Sequence, residues 1–490
     1  MKHGADIVLI NPGDRRRIYQ GLGAGLAAIE PPFWVAVLAA YLRQEGFLVA
    51  VIDANAENIT PEETALRAAK LKPLLSCVVV YGSQPSASTQ NMTVAGAICR
   101  ALNDESIGRV ALAGLHPSAL PGRTLSEESV DFVIAGEGPE SLRVLLAELA
   151  TDKPDFSRVP GLWYRDGSDI CSNARAALIS DLDSYLPIAA WDLLPMDLYR
   201  AHNWHCFDDF EHRSPYAAIY TSLGCPFSCV FCCINAPFGK PGIRYRSPER
   251  VVDEISLLVE TFGVKNLKIV DELFVLKEEH YMAIVEKIIA RKLDLNIWAY
   301  ARVDTVKPEN LVRMKQAGIN WLALGIESAS PSVRAGADKR MQVPDIAAVV
   351  SSIRNAGIRI IGNFIFGLPD DTRETMEETL QLAIELNCEF INFYCAMAYP
   401  GSRLYDIALE EAWALPAEWQ GYSQHSYDML PLPTRSQSAA EVLRFRDEAF
   451  HRYFTNPVYL DMLGHTFGTS VREHLVELSS IRLKRKLLGD

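Results

Sequence analysis

The sequence predicts an α/β fold in three parts: a doubly wound, Rossmann-like domain, a partial (β/α)6 barrel, and a mainly helical C-terminal region. Three observations support this fold class. Short apolar runs alternate with helical patterns from residue 5 to residue 150, as in an open parallel sheet covered by helices on both faces. The alternation restarts near residue 217 with six further βα units, which favours a partial barrel. The length of 490 residues is also too great for one ordinary domain.

The first predicted domain covers residues 1–150. Its strands are expected at Ile7–Ile10, Phe47–Asp53, Cys77–Tyr81, Arg109–Ala113 and Phe132–Ala135, and its helices at Phe33–Glu45, Pro61–Lys70, Thr89–Leu102 and Pro139–Leu149. Ligands of doubly wound sheets bind beyond the carboxyl ends of the strands. The loops at 11–32, 82–90, 114–118 and 136–139 are therefore the candidate binding loops.

Residues 151–214 are predicted to form an ordered bridge with a hairpin at Gly161–Ser172. Trp191, Trp204 and Phe207 favour order here, because large aromatic side chains are costly to leave exposed. The barrel is predicted over residues 215–403, with strands at Ala217–Thr221, Leu267–Val270, Asn296–Tyr300, Trp321–Gly325, Ile358–Phe366 and Phe390–Ala396. Its chemistry is expected at the carboxyl ends of these strands. The helical region 404–490 is expected to shape substrate access.

The bulk properties exclude several classes of protein. A net charge of −13 argues against a nucleic-acid binder, and basic residues cluster only at Arg15–Arg17 and Arg482–Lys486. No apolar run is long enough to span a membrane, and the N-terminus lacks the pattern of a secretory signal. We therefore expect a cytoplasmic protein. Four of its ten cysteines fall within nine residues, which is typical of metal binding or catalysis in a cytosolic chain.

The strongest chemical signal is the cysteine triplet Cys225, Cys229 and Cys232, which directly follows the first barrel strand. Three thiolates on a four-iron cluster leave one iron open to an outside ligand. The alternative is a structural zinc site, which normally requires four closed ligands. No second CxxC-like pair is present, and Cys233 lies too close to Cys232 to complete a tetrahedron easily. The spacing thus favours an iron–sulfur cluster over zinc.

The CxxxCxxC spacing, with Phe231 just before the last cysteine, resembles the radical S-adenosylmethionine (SAM) superfamily. The resemblance implies that the open iron chelates SAM and that one-electron reduction cleaves SAM to a 5′-deoxyadenosyl radical. It also implies an external one-electron reductant such as flavodoxin or ferredoxin. The resemblance further implies SAM contacts at four successive strand ends, by Glu272, by Arg302, by Glu327 and Ser328, and by Asn363 and Gly367. Asn363 stands where the family pattern GxIxGxP has its first glycine.

The N-terminal domain resembles that of the cobalamin-dependent subclass of radical SAM enzymes. The similar segments are Asn11–Pro12, Glu30–Pro32, Gly114–Ser118 with His116, and Gly136–Gly138 with Glu137. The sequence lacks the DxHxxG motif, so the resemblance implies base-off cobalamin without a histidine from that motif. The lower axial ligand stays open, with Tyr19 or Gln20 as guesses. The alternative is a nucleotide-binding fold, but Gly21–Gly25 does not open a helix directly after the first strand, as a dinucleotide fingerprint requires.

Several further residues are candidates for the substrate cavity. Tyr394 and Cys395, in the sixth barrel strand, and Tyr399, just after it, are suited to position a substrate or exchange a proton. The bridge segment 202–207 either lines the cavity or packs in the core, with packing favoured. The polar segment 422–427 either caps the barrel mouth or forms a surface loop, and the sequence weighs these two interpretations equally.

Together the two resemblances imply a methyltransferase that moves a methyl group from SAM, through methylcobalamin, to an unactivated carbon. The first alternative keeps both cofactors but transfers no methyl group, as in the anaerobic porphyrin-ester cyclase. The second is a cobalamin-binding electron-transfer or sensor protein without turnover. The sequence names no substrate, although the absence of a recognisable peptide-binding module favours a small molecule or a lipid.

Overall fold

The computed structural model of the chain describes residues 4–14, 18–20, 27–82, 85–105, 107–341 and 345–490. The basic run at 15–17 and the glycine-rich segment 21–25 lie outside these ranges, as do residues 83 and 84 of one candidate binding loop. Within the described ranges the chain forms two sheets that carry the predicted alternation of strands and helices, and a short two-stranded ribbon.

The N-terminal sheet has seven strands in the spatial order β2-β1-β3-β4-β5-β6-β7. They are β1 Ile7–Asn11, β2 Val49–Asp53, β3 Leu75–Val80, β4 Arg109–Gly114, β5 Phe132–Ile134, β6 Leu162–Asp166 and β7 Asp169–Ser172. The first five are parallel, and the predicted hairpin β6–β7 extends this sheet in antiparallel fashion instead of standing apart from it in the bridge. Because β1 lies between β2 and β3, the direction of winding reverses between β1 and β3, and a crevice opens there.

Helices cover both faces of this sheet, because a parallel sheet must bury both faces. Helices Phe33–Gln44 and Pro139–Leu149 pack on one face, and helices Pro61–Leu71 and Met92–Asp104 pack on the other. The helix predicted from Thr89 is divided at Asn91, with a short helix Pro85–Gln90 before it. Further short helices are Ala54–Glu57, Leu115–Ala119 and Pro121–Glu127.

The bridge crosses from the first sheet to the second and is ordered, as its aromatic residues predicted. Trp191, Trp204 and Phe207 are all buried. Short helices occupy Leu182–Tyr185, Trp191–Leu193, Met196–Leu198 and Trp204–Cys206. The Arg200 and Ile29 backbones pair with each other, so the bridge is joined to the loop that enters helix Phe33–Gln44.

The second sheet is a curled half-barrel of six parallel strands. Its strands, adjacent in chain order, are β8 Tyr216–Ile219, β11 Asn266–Ile269, β12 Asn296–Arg302, β13 Ile319–Glu327, β14 Arg359–Phe366 and β15 Phe390–Cys395. The two-stranded ribbon β9 Ser222–Leu223 and β10 Arg244–Tyr245 flanks the loop after β8. The barrel helices are Pro248–Phe262, Glu278–Ala290, Pro308–Gln316, Pro331–Gly336, Ile346–Asn355 and Arg373–Leu386.

The C-terminal region is helical, as predicted, with helices Arg403–Glu410, Ala439–Phe454, Pro457–Phe467 and Thr469–Ser480. Helix Ala439–Phe454 packs against β15 through Phe445, Ala449 and Tyr453. The final residues return to the middle of helix Ala439–Phe454, where Arg485 is buried against Asp447. No helix in the described part of the chain is both long and apolar enough to cross a bilayer.

Candidate active site

The predicted metal-binding cysteines lie on a loop, residues 224–242, that follows β8 and β9. Asp271, just after β11, fixes the start of this loop. Its carboxylate accepts hydrogen bonds from the Thr221 backbone N–H at 2.6 Å, the Thr221 hydroxyl at 2.6 Å and the Ser222 hydroxyl at 2.5 Å. Asp271 is buried, and burial raises the pKa of its carboxyl group while these hydrogen bonds oppose the shift. The sequence interpretation assigned no role to Asp271.

Backbone hydrogen bonds within the loop and from the C-terminal region also hold the middle and the end of this loop. The N–H of Gly242 donates to the carbonyl of Cys225 at 2.9 Å, and the N–H of Cys232 donates to that of Cys229 at 3.0 Å. The N–H of Leu404 donates to the carbonyl of Val230 at 2.7 Å. These contacts fix the backbone that presents all three thiols.

The three thiols are free of disulfide bonds and lie among charged groups of both signs. Burial raises the pKa of Cys225 to about 11 and also raises the pKa of Cys229 and Cys232. The Cys225 thiol interacts electrostatically with both of the others, while Lys339 and Arg302 favour the thiolate of Cys229. Buried thiols of high pKa become thiolates when a metal binds them.

The donor set fits a cluster better than a single ion. Within the described ranges, no three His, Cys, Asp or Glu side chains converge closely enough to hold one metal ion. A mononuclear zinc site requires such convergence, whereas a four-iron cluster takes each thiolate on a separate iron. Cys233 and Cys225 both lie in the large apolar core cluster, and Cys233 is the more deeply buried of the two. The chemistry of three thiols on one loop is suited to a cluster, and the assignment of its ligands to Cys225, Cys229 and Cys232 stays a prediction.

Glu272 lies beside this loop, at the end of β11, as the strand pattern predicts. It lines a small recess with Leu223 and Gly224 and interacts electrostatically with Cys225 and Cys232. Burial raises the pKa of its carboxyl group to about 7, since Lys268 offsets only part of the desolvation. No hydrogen bond joins its carboxylate to the described residues. A half-buried carboxylate in this setting is suited to bind an ammonium group.

Glu327 lies at the end of β13, on the other side of the cysteine loop. It forms a buried ion pair with Lys339, and both groups interact with the Cys229 thiol. Its φ of +65° is unusual for a residue other than glycine, and the register between β13 and β14 shifts at this point. Ser328 is instead fully buried, with its hydroxyl 3.1 Å from that of Thr379. The structure thus places Glu327 at the site and Ser328 in the packing behind it.

Arg302 ends β12, and its guanidinium is 4.1 Å from the ring centroid of Phe227 in the cysteine loop. It also donates two hydrogen bonds of 2.9 Å to Asp304 and one of 2.8 Å to the carbonyl of Arg340. The predicted anion-binding arginine is therefore next to the cluster ligands. Its ion pair with Asp304 orients the guanidinium within the site.

Two SAM contacts were predicted at β14: Asn363 on the strand faces the large cavity, and Gly367 just after the strand does not. Asn363 lines the large cavity, accepts a hydrogen bond of 2.9 Å from the Asn392 amide and donates one of 3.3 Å to the Leu324 carbonyl. Gly367 has a φ of +82°, and a Cβ there would come within 2.5 Å of the Val442 side chain. Gly367 thus permits a close approach of helix Ala439–Phe454.

One cavity of about 1000 Å³ lies between the two sheets and is lined by both of them. From the N-terminal sheet it takes Asn11 and Pro12 after β1, and Tyr81 and Gly82 after β3. These positions are the crevice between β1 and β3, where the winding reverses and where ligands of such folds bind. Trp34 stacks on Tyr81 with ring centroids 4.5 Å apart and lines the same wall.

The residues predicted after β4 and β5 do not line this cavity. His116 is buried, with its backbone N–H donating to Ser88 at 2.9 Å and its ring 4.4 Å from that of Trp419. Burial lowers the pKa of His116 to about 3. Ser118 accepts a hydrogen bond from the N–H of Gly136 at 3.0 Å and donates one to the carbonyl of Gly114 at 2.6 Å. The polar groups of Gly114, Ser118 and Gly136 therefore form hydrogen bonds with one another.

This part of the N-terminal domain packs against the cysteine loop. Arg175 donates to the carbonyl of Ser118 at 2.7 Å and to that of Ala236 in the loop at 2.8 Å. Glu137 forms an ion pair of 2.8 Å with Arg244 of β10. Their assignment as cofactor contacts therefore stays a prediction, and the structure shows them at the junction of the two domains.

Two of the three substrate residues predicted in and just after β15 line the cavity. Tyr394 and Tyr399 are lining residues, and Tyr399 interacts both with Ser86 of the N-terminal domain and with Cys233 of the cysteine loop. Cys395 is buried, with its N–H donating to Gln424 at 2.9 Å, and lies behind the wall. Burial raises the pKa of Tyr399 to about 12, so its phenol stays protonated at neutral pH.

In the bridge and in the segment 422–427, some residues line the cavity and others pack in the protein interior. His202 and Trp204 line the cavity, whereas His205 and Cys206 are buried in hydrogen bonds with the Asn296 carbonyl and with Asn266. His425 also lines it, 5.6 Å from Tyr19 between ring centroids. Tyr19 lines the cavity, whereas Gln20 does not; the Gln20 amide donates to the carbonyls of His425 at 2.7 Å and Lys484 at 3.2 Å and so supports the wall from behind.

The sequence interpretation missed a buried ion pair in the barrel lumen. Lys268 of β11 lies 3.0 Å from Glu30, which reaches in from the N-terminal domain, and 4.8 Å from the ring centroid of Trp298. The Tyr216 hydroxyl donates to Glu30 at 3.1 Å. Lys268 interrupts an apolar strand, and this pattern would have indicated the ion pair, because a charged side chain inside a barrel requires a partner.

Comparison with known proteins gives two matching families. The sequence profile of the radical SAM superfamily matches residues 219–383, and that of the B12 binding domain matches residues 19–146. The first match spans the half-barrel with the cysteine loop, and the second spans the sheet with the β1/β3 crevice.

Two relatives match almost the whole chain. A Pyrococcus horikoshii protein described as an uncharacterized methyltransferase is 31% identical over 438 residues, covering 89% of this chain and 90% of the relative. The anaerobic magnesium-protoporphyrin IX monomethyl ester cyclase of Cereibacter sphaeroides is 30% identical over 457 residues, covering 91% of this chain and 70% of the relative.

Among solved structures, the fold is similar to that of TsrM from Kitasatospora setae. TsrM is a radical SAM methyltransferase whose structure contains cobalamin and a 4Fe–4S cluster. The TM-score is 0.69, the match covers 97% of this chain and 98% of TsrM, and the sequences are 18% identical. At this identity the likeness establishes a shared fold.

Proposed function

Since the chain belongs to the cobalamin-dependent radical SAM enzymes, we propose that it is a methyltransferase that acts on an unactivated carbon. The enzyme uses a 4Fe–4S cluster, SAM and cobalamin, as its two domains require. When bound, the cluster supplies one-electron cleavage of SAM, and cobalamin supplies a carrier for the methyl group. An external one-electron reductant such as flavodoxin or ferredoxin completes the proposed system.

The single observation that carries this proposal is the shared cavity of about 1000 Å³. It joins the β1/β3 crevice to the lumen of the half-barrel, and it shares Trp34, Tyr81 and Tyr220 with the small recess that Gly224 and Glu272 line. We therefore infer that a methyl carrier and a radical source face adjoining spaces. A substrate between them can lose a hydrogen atom on one side and receive a methyl group on the other. Proximity of this kind removes the entropic cost of bringing separate reactants together.

The chain's own residues have distinct proposed roles. Cys225, Cys229 and Cys232 hold the cluster, Glu272 binds the SAM ammonium group, and the cationic groups of Arg302 and Lys339 favour the SAM carboxylate. Asn363 offers amide groups to the bound ligand within the lumen. Tyr394 and Tyr399 shape the wall nearest to the substrate, with the Tyr399 phenol positioned by Gln424 at 3.5 Å.

The test is reconstitution with iron, sulfide and cobalamin, followed by reduction in the presence of SAM that carries a labelled methyl group. We expect both 5′-deoxyadenosine and S-adenosylhomocysteine, with label appearing in a third molecule when extracts supply the substrate. Cys229→Ala should abolish 5′-deoxyadenosine, and Cys233→Ala is the matched control. Formation of 5′-deoxyadenosine without S-adenosylhomocysteine would contradict methyl transfer.

A second candidate follows from the cyclase relative, which is 30% identical over 91% of this chain. In that case the same cavity would support a radical oxidation with both cofactors and no methyl transfer. It predicts a product of unchanged carbon count and no label incorporation. The labelled-methyl experiment therefore separates the two candidates directly.

A further inference from the structure

The C-terminal wall of the large cavity is basic, although the protein carries a net charge of −13. Its charged lining residues come from helix Ala439–Phe454 and from the segment after residue 480. Five are basic and three are acidic: Arg444, Arg446, Arg482, Lys484 and Arg485 against Asp447, Glu448 and Asp490. This excess of positive charge lies at the edge of the cavity.

The acidic members of this wall are already engaged. Asp447 pairs with Arg446 at 2.7 Å and with Arg485 at 3.0 Å. Glu448 lies 3.6 Å from Arg373, and the side chain of Asp490 accepts a hydrogen bond of 2.7 Å from the backbone N–H of Arg485. One carboxylate, that of Asp447, thus serves two guanidiniums, and the five cations of the wall exceed its three acids by two. Glu441, one turn before Arg444 on the same helix, interacts with Arg444 electrostatically.

Three cations remain for an outside ligand: Arg444, Arg482 and Lys484, here called the basic rim. All three are exposed, and none makes an ion pair within 4 Å among the described residues. The backbone beneath them is held in place, since the Lys484 N–H donates to the Gln20 side chain at 3.3 Å and its carbonyl accepts from the same amide at 3.2 Å. Arg482 also lowers the pKa of His451, another lining residue, after the larger effect of burial.

The half-barrel end of the cavity carries many apolar and aromatic side chains, beside the amides of Asn363 and Asn392. Ala218, Val270, Trp298 and Ile361, from four strands of the half-barrel, line the lumen. The charged pair there, Lys268 with Glu30, is internally balanced. A ligand that fills the cavity therefore meets apolar surface at one end and unbalanced positive charge at the other.

We propose that the substrate is an amphipathic organic anion. Its apolar body enters the half-barrel, and its anionic group stays at the basic rim formed by Arg444, Arg482 and Lys484. Exposed cations around an apolar opening attract such a molecule over a distance and orient its entry. The inference rests on the proposed function, since it assigns the substrate to the cavity that the two cofactors share.

The test compares two probes that share one aromatic body and differ in charge. The probes are 1-anilinonaphthalene-8-sulfonate, an anion, and N-phenyl-1-naphthylamine, its neutral counterpart. Binding to the holoenzyme with SAM is followed by fluorescence. We expect the anion to bind more tightly to the native protein, and R444Q/R482Q/K484Q to weaken it roughly tenfold, because each exposed charge contributes modestly. Binding of the neutral probe should not change.

The matched control is K70Q/K153Q/K292Q, which removes the same charge at exposed positions outside the cavity wall. The proposal would be overturned if this control weakened binding of the anionic probe as much as the rim variant does. Equal affinity of the native protein for both probes would also overturn it. A fall in bound cobalamin in the rim variant would also overturn it, because the cations would then serve the cofactor. Probe binding needs no turnover, so failure of methyl transfer leaves this result readable on its own.

Discussion

The residues of the half-barrel were easier to predict from the sequence than those of the N-terminal domain. On the half-barrel side, residues predicted at successive strand ends, such as Glu272, Arg302 and Glu327, lie together around the cysteine loop. On the N-terminal side, the residues after β4 and β5 lie away from the cavity, and those after β1 and β3 line it. A curled sheet brings every strand end to one mouth, whereas an open sheet has its crevice where the winding reverses.

The largest expected effect tests the cysteine loop of the half-barrel. Cys229→Ala should reduce 5′-deoxyadenosine formation to background, because loss of one thiolate removes a cluster ligand. Cys233→Ala, four residues along the same loop, should retain the cluster, as measured by iron content and absorbance. Equal loss in both variants would show that the loop as a whole is fragile and that the three ligands are not specifically assigned.

The next effect tests the N-terminal wall, where the comparison is sharpest. Gln90→Trp fills the crevice beside β3 and should remove most of the bound cobalamin, read from its visible absorbance. His116→Gln should leave the cobalamin content close to that of the native protein, because His116 is buried away from the cavity. If His116→Gln lost more cobalamin than Gln90→Trp, the loop after β4 would be the better candidate for the cofactor site.

A smaller effect concerns stability at the same loop. Gly114 has a φ of +138°, and a Cβ there would come within 2.2 Å of the Val80 carbonyl oxygen. Gly114→Ala should therefore lower the free energy of unfolding by about 3 kcal/mol, since both backbone strain and a contact with rigid backbone oppose it. Urea unfolding of the apoprotein measures this change, with Gly46→Ala as a control that meets open space at a similarly positive φ.

The smallest effect is a pH dependence at Glu272. Its carboxyl pKa is about 7 in the folded apoprotein against about 4.3 in an unfolded chain. The folded state therefore keeps a proton that the unfolded state loses, and the apoprotein loses stability as the pH rises through this window. The gain in melting temperature from Glu272→Gln should be larger near pH 8 than near pH 5. A constant difference would place Glu272 in a solvated setting.

Much of the fold follows from local signals in the sequence. Every predicted parallel strand is present with its ends within two residues of the prediction, because strands buried on both faces read as apolar runs such as Ile7–Ile10. The spatial order of the N-terminal strands has no local signal, and so the loop at 82–90, which follows β3, was not preferred over the loops after β4 and β5. For the half-barrel, the strand order was not needed to predict the site, since all of its strand ends meet at one mouth.

The rest of the site depends on long-range packing. Lys339 reaches Glu327 from a loop 12 residues further along, and Arg444 reaches the cavity rim because its helix packs on β15. Neither position carries a motif. Cys395 shows the converse, since a chemically suggestive residue at a strand end is buried behind the wall by its contact with Gln424.

The anchoring of the cysteine loop by Asp271 has a consequence for how the enzyme is assembled in the cell. The hydrogen bonds to Thr221 and Ser222, together with the backbone contacts of Val230, are all made by protein groups. The loop therefore has its shape before iron arrives, unlike small zinc domains that fold only around their metal. Iron starvation or exposure to oxygen should leave a folded chain that awaits cluster delivery, and the cluster should be replaceable without renewed folding.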